Sequence, residues 1–456
     1  MTLIKSISGI RGTIGGKPGK NLTPVDIVEC TAAYAQIILE QGGSKVVVGR
    51  DGRITGPLVN AIVCNTLISM GLNVIDFGLS TTPSIEMMVK AEQADAGIIL
   101  TASHNPKQWN ALKFLNAKGD FISAATGQKV LDYIAANKIE FAEVDSIGSL
   151  ENKDNSIEYH VKEVLALPYL NTEEIKKKKY HVVVDCINST GAISIPPILD
   201  ALDCTYTLIN AEMTGEFAHN PEPLPEHLIE LSKAVITEKA VMGISVDPDV
   251  DRLALVMENG KMFGEEYTLV ACSDYLLSKK QGNTVSNLSS TRALRDLTES
   301  YGQQYFASKV GEVNVVEKMK EVNAVIGGEG NGGVILPDLH YGRDAIAGIA
   351  LMLGLMAERD KALSEIKTGY TPYAISKNKL PLTDDMDPDQ IIQQLAEIYK
   401  EEKVNLEDGL KIDFTDSWVQ LRKSNTEAIM RVYAEANTEK EAKRLAEMIM
   451  GKIKDL

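Results

Sequence analysis

Cysteine is scarce and unpatterned in this chain. The five thiols, Cys30, Cys64, Cys186, Cys204 and Cys272, are odd in number, scattered, and form no C-x-x-C pair. That argues against a disulfide framework, a zinc ribbon or a redox centre and favours buried reduced thiols. Long apolar runs are missing too: no stretch approaches the roughly 18 apolar residues of a membrane-spanning helix, and the run at Met1–Gly9 is too short for a secretory leader. A cytoplasmic protein is expected. Positive charge is in deficit, with 47 Lys and Arg against 63 Asp and Glu and a net charge of −16. Such a chain is a poor partner for nucleic acid or anionic membranes, which bind basic surfaces. Taken globally, the charge also speaks against an anionic substrate. There is no G-x-S-x-G elbow for a hydrolase nucleophile and no G-x-G-x-x-G opening a helix.

What remains is ordinary for a soluble enzyme: 456 residues, 44% hydrophobic and 24% charged. At roughly 150 residues per domain the length suggests about three domains. Short β-branched runs alternate with helical patterns, the signature of α/β units. Lys45–Gly49 reads as a strand, Gly56–Ser69 as a helix, Asn73–Phe77 and Asp95–Thr101 as further strands. The scheme restarts at His181–Asp185, a faint echo of the Val46 strand, and again after the Asn259-Gly260 turn signal. Gly369–Pro372 reads as a linker. Beyond it come long helical patterns with two strands, ending in an amphipathic helix over Thr438–Ile453 with apolar positions at Ala442, Leu445, Ala446, Met448 and Ile449. The expectation is three α/β modules and a smaller α+β unit.

Four segments carry chemistry. Thr101-Ala102-Ser103-His104-Asn105-Pro106 follows a strand, where α/β folds bind ligands; these are also ordinary loop residues. Asp247-Pro248-Asp249-Val250-Asp251-Arg252 places three carboxylates at alternate positions, which is costly unless a hard divalent cation sits among them. An EF-hand would need Gly where Arg252 stands, so Glu258 at its twelfth position is coincidental. Gly327-Gly328-Glu329-Gly330-Asn331-Gly332-Gly333 displays a carboxylate and an amide suited to sugar hydroxyls, although a structural turn explains the glycines equally well. Arg422-Lys423-Ser424-Asn425-Thr426-Glu427, with Arg431, could cradle phosphate or be a basic loop.

Together these segments resemble the α-D-phosphohexomutase family, which includes phosphoglucomutases, phosphomannomutases and phosphoglucosamine mutases. The family's T-[AG]-S-H-N-P loop stands at Thr101–Pro106, D-x-D-x-D-R at Asp247–Arg252, G-E-x-S/N-G at Gly328–Gly332, R-x-S-[NG]-T-E at Arg422–Glu427, and the opening S-G-[IV]-R-G at Ser8–Gly12. The order is right and the resemblance spans essentially the whole chain. It implies three related α/β/α modules with mixed sheets and a C-terminal α+β domain of TATA-box-binding-protein type around a central cleft, divided as 1–155, 156–257, 258–368 and 369–456.

The resemblance further implies an intramolecular phosphotransferase that moves phosphate between O6 and O1 of a hexose phosphate through a bisphosphorylated sugar, which also serves as activator. Ser103 would carry the phosphoryl group. One Mg²⁺ per active site would be held by Asp247, Asp249, Asp251 and Ser103, with Arg252 adding positive field. Glu329 and Asn331 would grip the sugar, and Arg422, Ser424, Asn425, Thr426 and Arg431 the phosphate not being transferred. Lys113, matching the family's N-G-[IFV]-K lysine, and Arg11 are the acid/base candidates. His104 titrates near neutrality when unperturbed but is read mainly as holding the loop. Asn331 replaces the common Ser, and Ala428 the usual Pro. The E-x-N-G-G form and the Tyr433–Ala436 strand look most like the phosphoglucosamine mutase branch of archaea and some bacteria, whereas Ser-Asn-Thr leans toward phosphomannomutase or phosphoglucomutase. A monomer or homodimer is expected, with a hexose phosphate as partner and neither nucleic acid nor membrane.

Overall fold

The computed structural model describes residues 2–6, 9–136, 139–383, 386–423 and 429–455. Four sheets organise them. The first has seven strands in the order Ile4–Ser6, Gly9–Thr13, Trp109–Asn116, Ala96–Leu100, Lys45–Arg50, Asn73–Leu79 and Leu150–Asn152. The second runs Leu253–Met257, Met242–Val246, His181–Asp185, Thr205–Ile209, and the third Tyr305–Ser308, Asn283–Asn287, Ala324–Glu329, Gly333–Ile335. In the first two sheets the central strands carry continuous apolar runs because helices cover both faces: Val46, Val47 and Val48 are fully buried, as are Val182, Val183 and Val184.

The echo in the sequence has a structural counterpart. In each of these three sheets a parallel pair of strands is followed by an antiparallel one: Ala96–Leu100 pairs antiparallel with Trp109–Asn116, Met242–Val246 with Leu253–Met257, and Ala324–Glu329 with Gly333–Ile335. Three of the four chemical segments are these same reversals, one per sheet. One hydrophobic core, from Ile157 to Tyr370, joins the second and third sheets. At its centre Ala345–Arg359 is buried along nearly its whole length and capped by Asp344, whose Oδ1 accepts from Ala347 N at 3.0 Å.

The C-terminal segment departs from expectation. It holds five strands rather than two, Ala374–Pro381, Lys403–Asn405, Leu410–Asp413, Trp418–Lys423 and Ile429–Ala436, in a sheet covered on one face by Pro388–Ile398 and Glu439–Lys454. Strict alternation hid them: Leu410, Ile412, Val419, Leu421, Met430 and Val432 face the helices, while Lys411, Gln420, Arg422, Arg431 and Glu435 occupy the other face and dilute the apolar signal. In the last helix the buried stripe is Ala442, Ala446, Ile449 and Ile453, whereas Met448 is 45% exposed. Residues 369–372 form neither helix nor strand, yet Tyr370 is buried and donates to Asp274 Oδ2 at 2.7 Å. The five cysteines are free and buried, and no helix among the described residues is long and apolar enough to cross a membrane.

The polar face of the fourth sheet docks on the third module. Arg292 donates to the carbonyls of Phe414, Thr415 and Ser417 and to Asp413 Oδ1, and its amide to Glu435 Oε1. Lys411 Nζ donates to Leu288 O at 2.7 Å from above the Trp418 ring, and burial pushes its ammonium down to about 8. Such a contact is directional, so removing its buried fork leaves charges and carbonyls unpaired. Arg292→Ala is expected to cost about 3 kcal/mol and to give the C-terminal segment its own earlier calorimetric transition; unchanged cooperative unfolding would contradict this docking.

Candidate active site

The Ser103 loop is held from beneath. Asp51 and Arg53, at the end of Lys45–Arg50, form a fully buried pair, Nε to Oδ2 at 3.0 Å. The Arg53 guanidinium also donates to the carbonyls of Ser103, Asn105 (2.7 Å), Pro106 (2.9 Å) and Trp109 (3.0 Å). Thr101 Oγ1 donates to Asp51 Oδ2 and accepts from Ser103 N. Ser103 has a left-handed φ of 47°, a conformation costing a non-glycine residue about 1 kcal/mol, which this ring of bonds sustains. The ring of Phe217 lies 5.1 Å from the Arg53 guanidinium carbon.

Ser103 Oγ points at the acidic segment and donates to Asp247 Oδ2 at 2.7 Å. Asp247, Asp249 and Asp251 are fully buried, with carboxylate oxygens within 4.8 Å of one another. Asp247 has both oxygens committed to the protein, Asp249 and Asp251 one each. Asp247 Oδ1 accepts from the amides of Asp251 and Arg252, Asp249 Oδ2 from Thr82 Oγ1 (2.6 Å) and Lys113 Nζ (2.9 Å), and Asp251 Oδ2 from Arg343 Nη2 (2.5 Å). Asp249 Oδ1 and Asp251 Oδ1 are buried without a hydrogen-bond partner. Orphaned carboxylate oxygens beside a serine hydroxyl are a donor set that fits a hard divalent cation. Burial, then the charges of Asp251 and Asp249, push the Asp247 carboxyl far up; burial raises Asp251 too, but Arg343, Lys113 and Arg252 pull it below the usual range. Glu258 is occupied elsewhere, accepting from Ser364 N and Oγ, which disposes of the EF-hand.

Lys113, on Trp109–Asn116, bridges Asp249 and Asp251, at 2.9 and 4.0 Å. Burial lowers its ammonium, but those carboxylates raise it above its ordinary value, so it stands as a proton donor. Arg11 is exposed, pairs across the sheet with Ala111 and therefore shares a face with Lys113. His104 Nδ1 lies 3.4 Å from Ser103 Oγ, and burial with Arg252 and Arg343 nearby pushes its imidazole down to about 3. Arg252 is buried, its Nε 3.9 Å from Asp251 Oδ1 and without a hydrogen-bond partner.

Glu329 ends Ala324–Glu329. Its Oε1 accepts from Asn287 Nδ2 at 2.9 Å and Gly311 N at 3.3 Å, and its Oε2 from Arg343 Nη1 at 2.8 Å. Asn331 lies 3.4 Å from Glu329 Oε2 and accepts from Gly333 N. The glycines answer to protein neighbours: a Cβ on Gly332 (φ 84°) would sit 2.3 Å from Leu253 O, and one on Gly330 1.9 Å from Glu266 Oε2. The Gly-rich segment is thereby pressed against the strand leaving the acidic segment.

In the fourth sheet Arg422 pairs directly with Arg431, and Arg431 with Lys379. Like charges opposite one another are unfavourable in a bare sheet; three cations in a row suit an anion, and Asp408 Oδ2 approaches Arg422 to 3.6 Å. Ser424, Asn425 and Thr426, like Ser8, lie outside the described residues.

Ser103, His104, Lys113, the three aspartates and Arg252 thus meet at one place, and Arg343 ties Glu329 to it. Arg422 and Arg431 stand apart on the fourth sheet, and no hydrogen bond or ion pair joins them to the aspartates. Arg53, Thr82, Arg343 and Lys379 were not singled out from sequence. Asp51-Gly52-Arg53 had a signal, since it follows a buried strand as the Ser103 loop does; Arg343 precedes the Asp344 cap of an apolar helix.

A serine aimed into an acidic triad beside Lys113, Arg252 and the Glu329 segment on three reiterated α/β sheets, with a fourth α+β unit, is the arrangement of a phosphomutase, an enzyme of the isomerase class. The chain belongs to the phosphoglucomutase/phosphomannomutase family: its alpha/beta/alpha domains I, II and III match residues 3–140, 158–260 and 264–373, and its C-terminal domain residues 379–452. A phosphoglucomutase/phosphomannomutase of Thermococcus kodakarensis is 32% identical over 452 residues, covering 96% of each chain. A phosphoglucosamine/phosphogalactosamine mutase of Sulfurisphaera tokodaii is 32% identical over 445 residues, also 96% of each. The crystal structure of a phosphoglucomutase/phosphomannomutase family protein from Burkholderia thailandensis superposes with a TM-score of 0.87 at 25% identity, covering 99% of this chain and 97% of that one.

Asp249→Asn and Asp251→Asn are expected to weaken Mg²⁺ or Mn²⁺ binding at least about ten-fold by calorimetry, and Glu258→Gln to leave it unchanged; the reverse pattern would overturn the site. Arg53→Lys, which cannot span the loop carbonyls, is expected to lower stability by about 3 kcal/mol in denaturant titration; an unchanged midpoint would contradict its role beneath the loop.

Proposed function

We propose that this phosphomutase interconverts the 6- and 1-phosphates of a hexose, glucosamine phosphate being its best substrate, with Ser103 as phosphoryl carrier. The observation that carries the reading is the 2.7 Å donation from Ser103 Oγ to Asp247 Oδ2 beside two orphaned carboxylate oxygens. Asp247, Asp249 and Asp251, with the Ser103 oxygen, would hold Mg²⁺. When bound, the ion offsets phosphoryl charge: a phosphoserine brings about −1.5 to −2, and two unit charges 4 Å apart repel by roughly 4 kcal/mol at an effective dielectric near 20.

In the forward step the phosphorus–Oγ bond of Ser103 breaks and a bond forms to the free O1 or O6 of the sugar phosphate, whose hydroxyl proton leaves to a base. Lys113 and Arg11 share a sheet face. Lys113 enters as an ammonium, gives its proton to Ser103 Oγ as that oxygen departs and, as the amine this leaves, takes up the proton of the sugar hydroxyl, so that one proton passes and Lys113 ends as it began. Arg11 stays a guanidinium throughout and acts only as a hydrogen-bond donor. Arg252, buried with a spare Nε donor, meets the equatorial phosphoryl oxygens, as P–O cleavage requires. His104, neutral beside Oγ, holds the loop. The bisphosphorylated sugar then turns over, and its other phosphate returns to Ser103 by the same steps in reverse, so that the bisphosphate is both intermediate and activator.

The resident phosphate falls to Arg422 and Arg431, joined by Ser424, Asn425 and Thr426 and, from its register, Lys379. Glu329 and Asn331 take the ring hydroxyls. The amide of Asn331 is longer than a serine hydroxyl and can donate two hydrogen bonds, so it meets the ring substituents differently; the mutase of S. tokodaii, named for two amino sugars, supports an amino sugar, and the T. kodakarensis relative supports glucose or mannose. We read the four units as 1–155, 156–257, 258–368 and 369–456, each supplying one loop.

Ser103→Ala is expected to lose mutase turnover by at least about 10⁴-fold while still binding sugar phosphate; full turnover would refute the carrier role. Among glucosamine, glucose and mannose phosphates in one coupled assay, kcat/KM should be highest for glucosamine, and a higher value for mannose or glucose would reassign the sugar. Binding of all three without isomer formation would make the protein a sugar-phosphate binder.

A further inference from the structure

Arg343 belongs to none of the four signature loops, yet it touches two of them. Its planar fork divides between carboxylates of different sheets: Nη2 meets Asp251 Oδ2 at 2.5 Å and Nη1 meets Glu329 Oε2 at 2.8 Å. The side chain is 8% exposed and is held from several directions. Its amide donates to Glu312 Oε1 at 2.9 Å, its Nε lies 3.4 Å from Glu312 Oε2, and its Cδ fills the space where Gly333 would carry a Cβ. The next residue, Asp344, accepts from His160 Nε2 at 2.8 Å and lies 3.2 Å from His340 Nε2, while His340 Nδ1 is 2.8 Å from Glu86. The backbone that carries the fork is therefore pinned by groups from the first module as well.

We propose that Arg343 is a positioning residue that couples cation occupancy at the aspartates to sugar recognition at Glu329; this rests on the reading above that the aspartates hold Mg²⁺ and Glu329 a ring hydroxyl. Asp251 gives one oxygen to Arg343, and its other, 3.9 Å from Arg252 Nε, accepts no hydrogen bond. With that second oxygen held by a cation, the carboxylate would be fixed in place and with it the fork, which holds Glu329 Oε2 and so would leave one rotamer of Glu329 for the sugar. A rigid two-pronged guanidinium transmits this; a single ammonium reaches one carboxylate at a time. Thermodynamic reciprocity then requires sugar binding to tighten the cation by the same factor.

The test is calorimetry on the full-length, dephosphorylated protein, where no net transfer occurs. Glucosamine 6-phosphate is titrated with and without Mg²⁺, and inorganic phosphate serves as a probe that meets the cationic loops but not Glu329. In the wild type Mg²⁺ should tighten glucosamine 6-phosphate about five-fold or more beyond its effect on inorganic phosphate. In Arg343→Lys that excess should vanish, with phosphate affinity retained as proof of a folded site. Glu329→Gln should lose it too, and the double variant should lose no more than either single one. Excess coupling that persists in Arg343→Lys, or losses that add in the double variant, would overturn the role of Arg343 while leaving the mutase reading intact. A wild type that binds Mg²⁺ in no state would instead sink the metal site on which both depend.

Discussion

Three carboxylates buried within 4.8 Å of one another are the constraint around which the rest of this molecule is arranged. In a low-dielectric interior their mutual repulsion would drive protons onto them or force the segment open. The segment stays closed because each sheet sends a partner: Thr82 and Lys113 from the first module to Asp249, the second module's own amides to Asp247, Arg343 from the third to Asp251; what these leave uncompensated falls on Asp247, whose carboxyl is still pushed far up. The aspartates thus act as a keystone for three modules, and two oxygens still remain free at their centre.

That keystone can be assembled because one structural device is used three times. Each module reverses from its last parallel strand into an antiparallel one, and the reversal carries the Ser103, Asp247–Arg252 or Glu329–Gly332 segment. Convergence of three reversals needs little sequence similarity, which is why the repetition is faint in the residues and plain in the pairing. The fourth sheet works differently. It docks through a polar face that ends in Arg422, Arg431 and Lys379, and a directional interface of carbonyls and buried cations lets its position be defined without a shared apolar core.

The strands Lys45–Arg50, Ala96–Leu100 and His181–Asp185 were legible because burial on both faces makes them continuous apolar runs. Helix Gly56–Ser69 agreed at both ends. The last module was misread for the opposite reason, since one face of its strands carries charged and polar side chains such as Lys411, Gln420, Arg422, Arg431 and Glu435. Ser103 and the aspartates stood out as motif residues. Arg53 and Arg343 did not, because their importance lies in which carbonyls and carboxylates they reach, a matter of three-dimensional placement rather than local pattern. The net charge of −16 misleads in the same way: it describes the whole surface, while Lys113, Arg252 and Arg343 concentrate positive charge at one point, and local field decides binding.

We propose Ser103 as the group that carries a phosphoryl to and from sugar. Peptide-mapped mass spectrometry tests it directly: the protein is incubated with a hexose 1,6-bisphosphate, freed of ligand and chased with glucosamine 6-phosphate. A single adduct on Ser103 that disappears in the chase, with bisphosphate appearing in equal amount, is the expected result. A phosphoryl group on another residue, or one that leaves Ser103 only as inorganic phosphate, would contradict it.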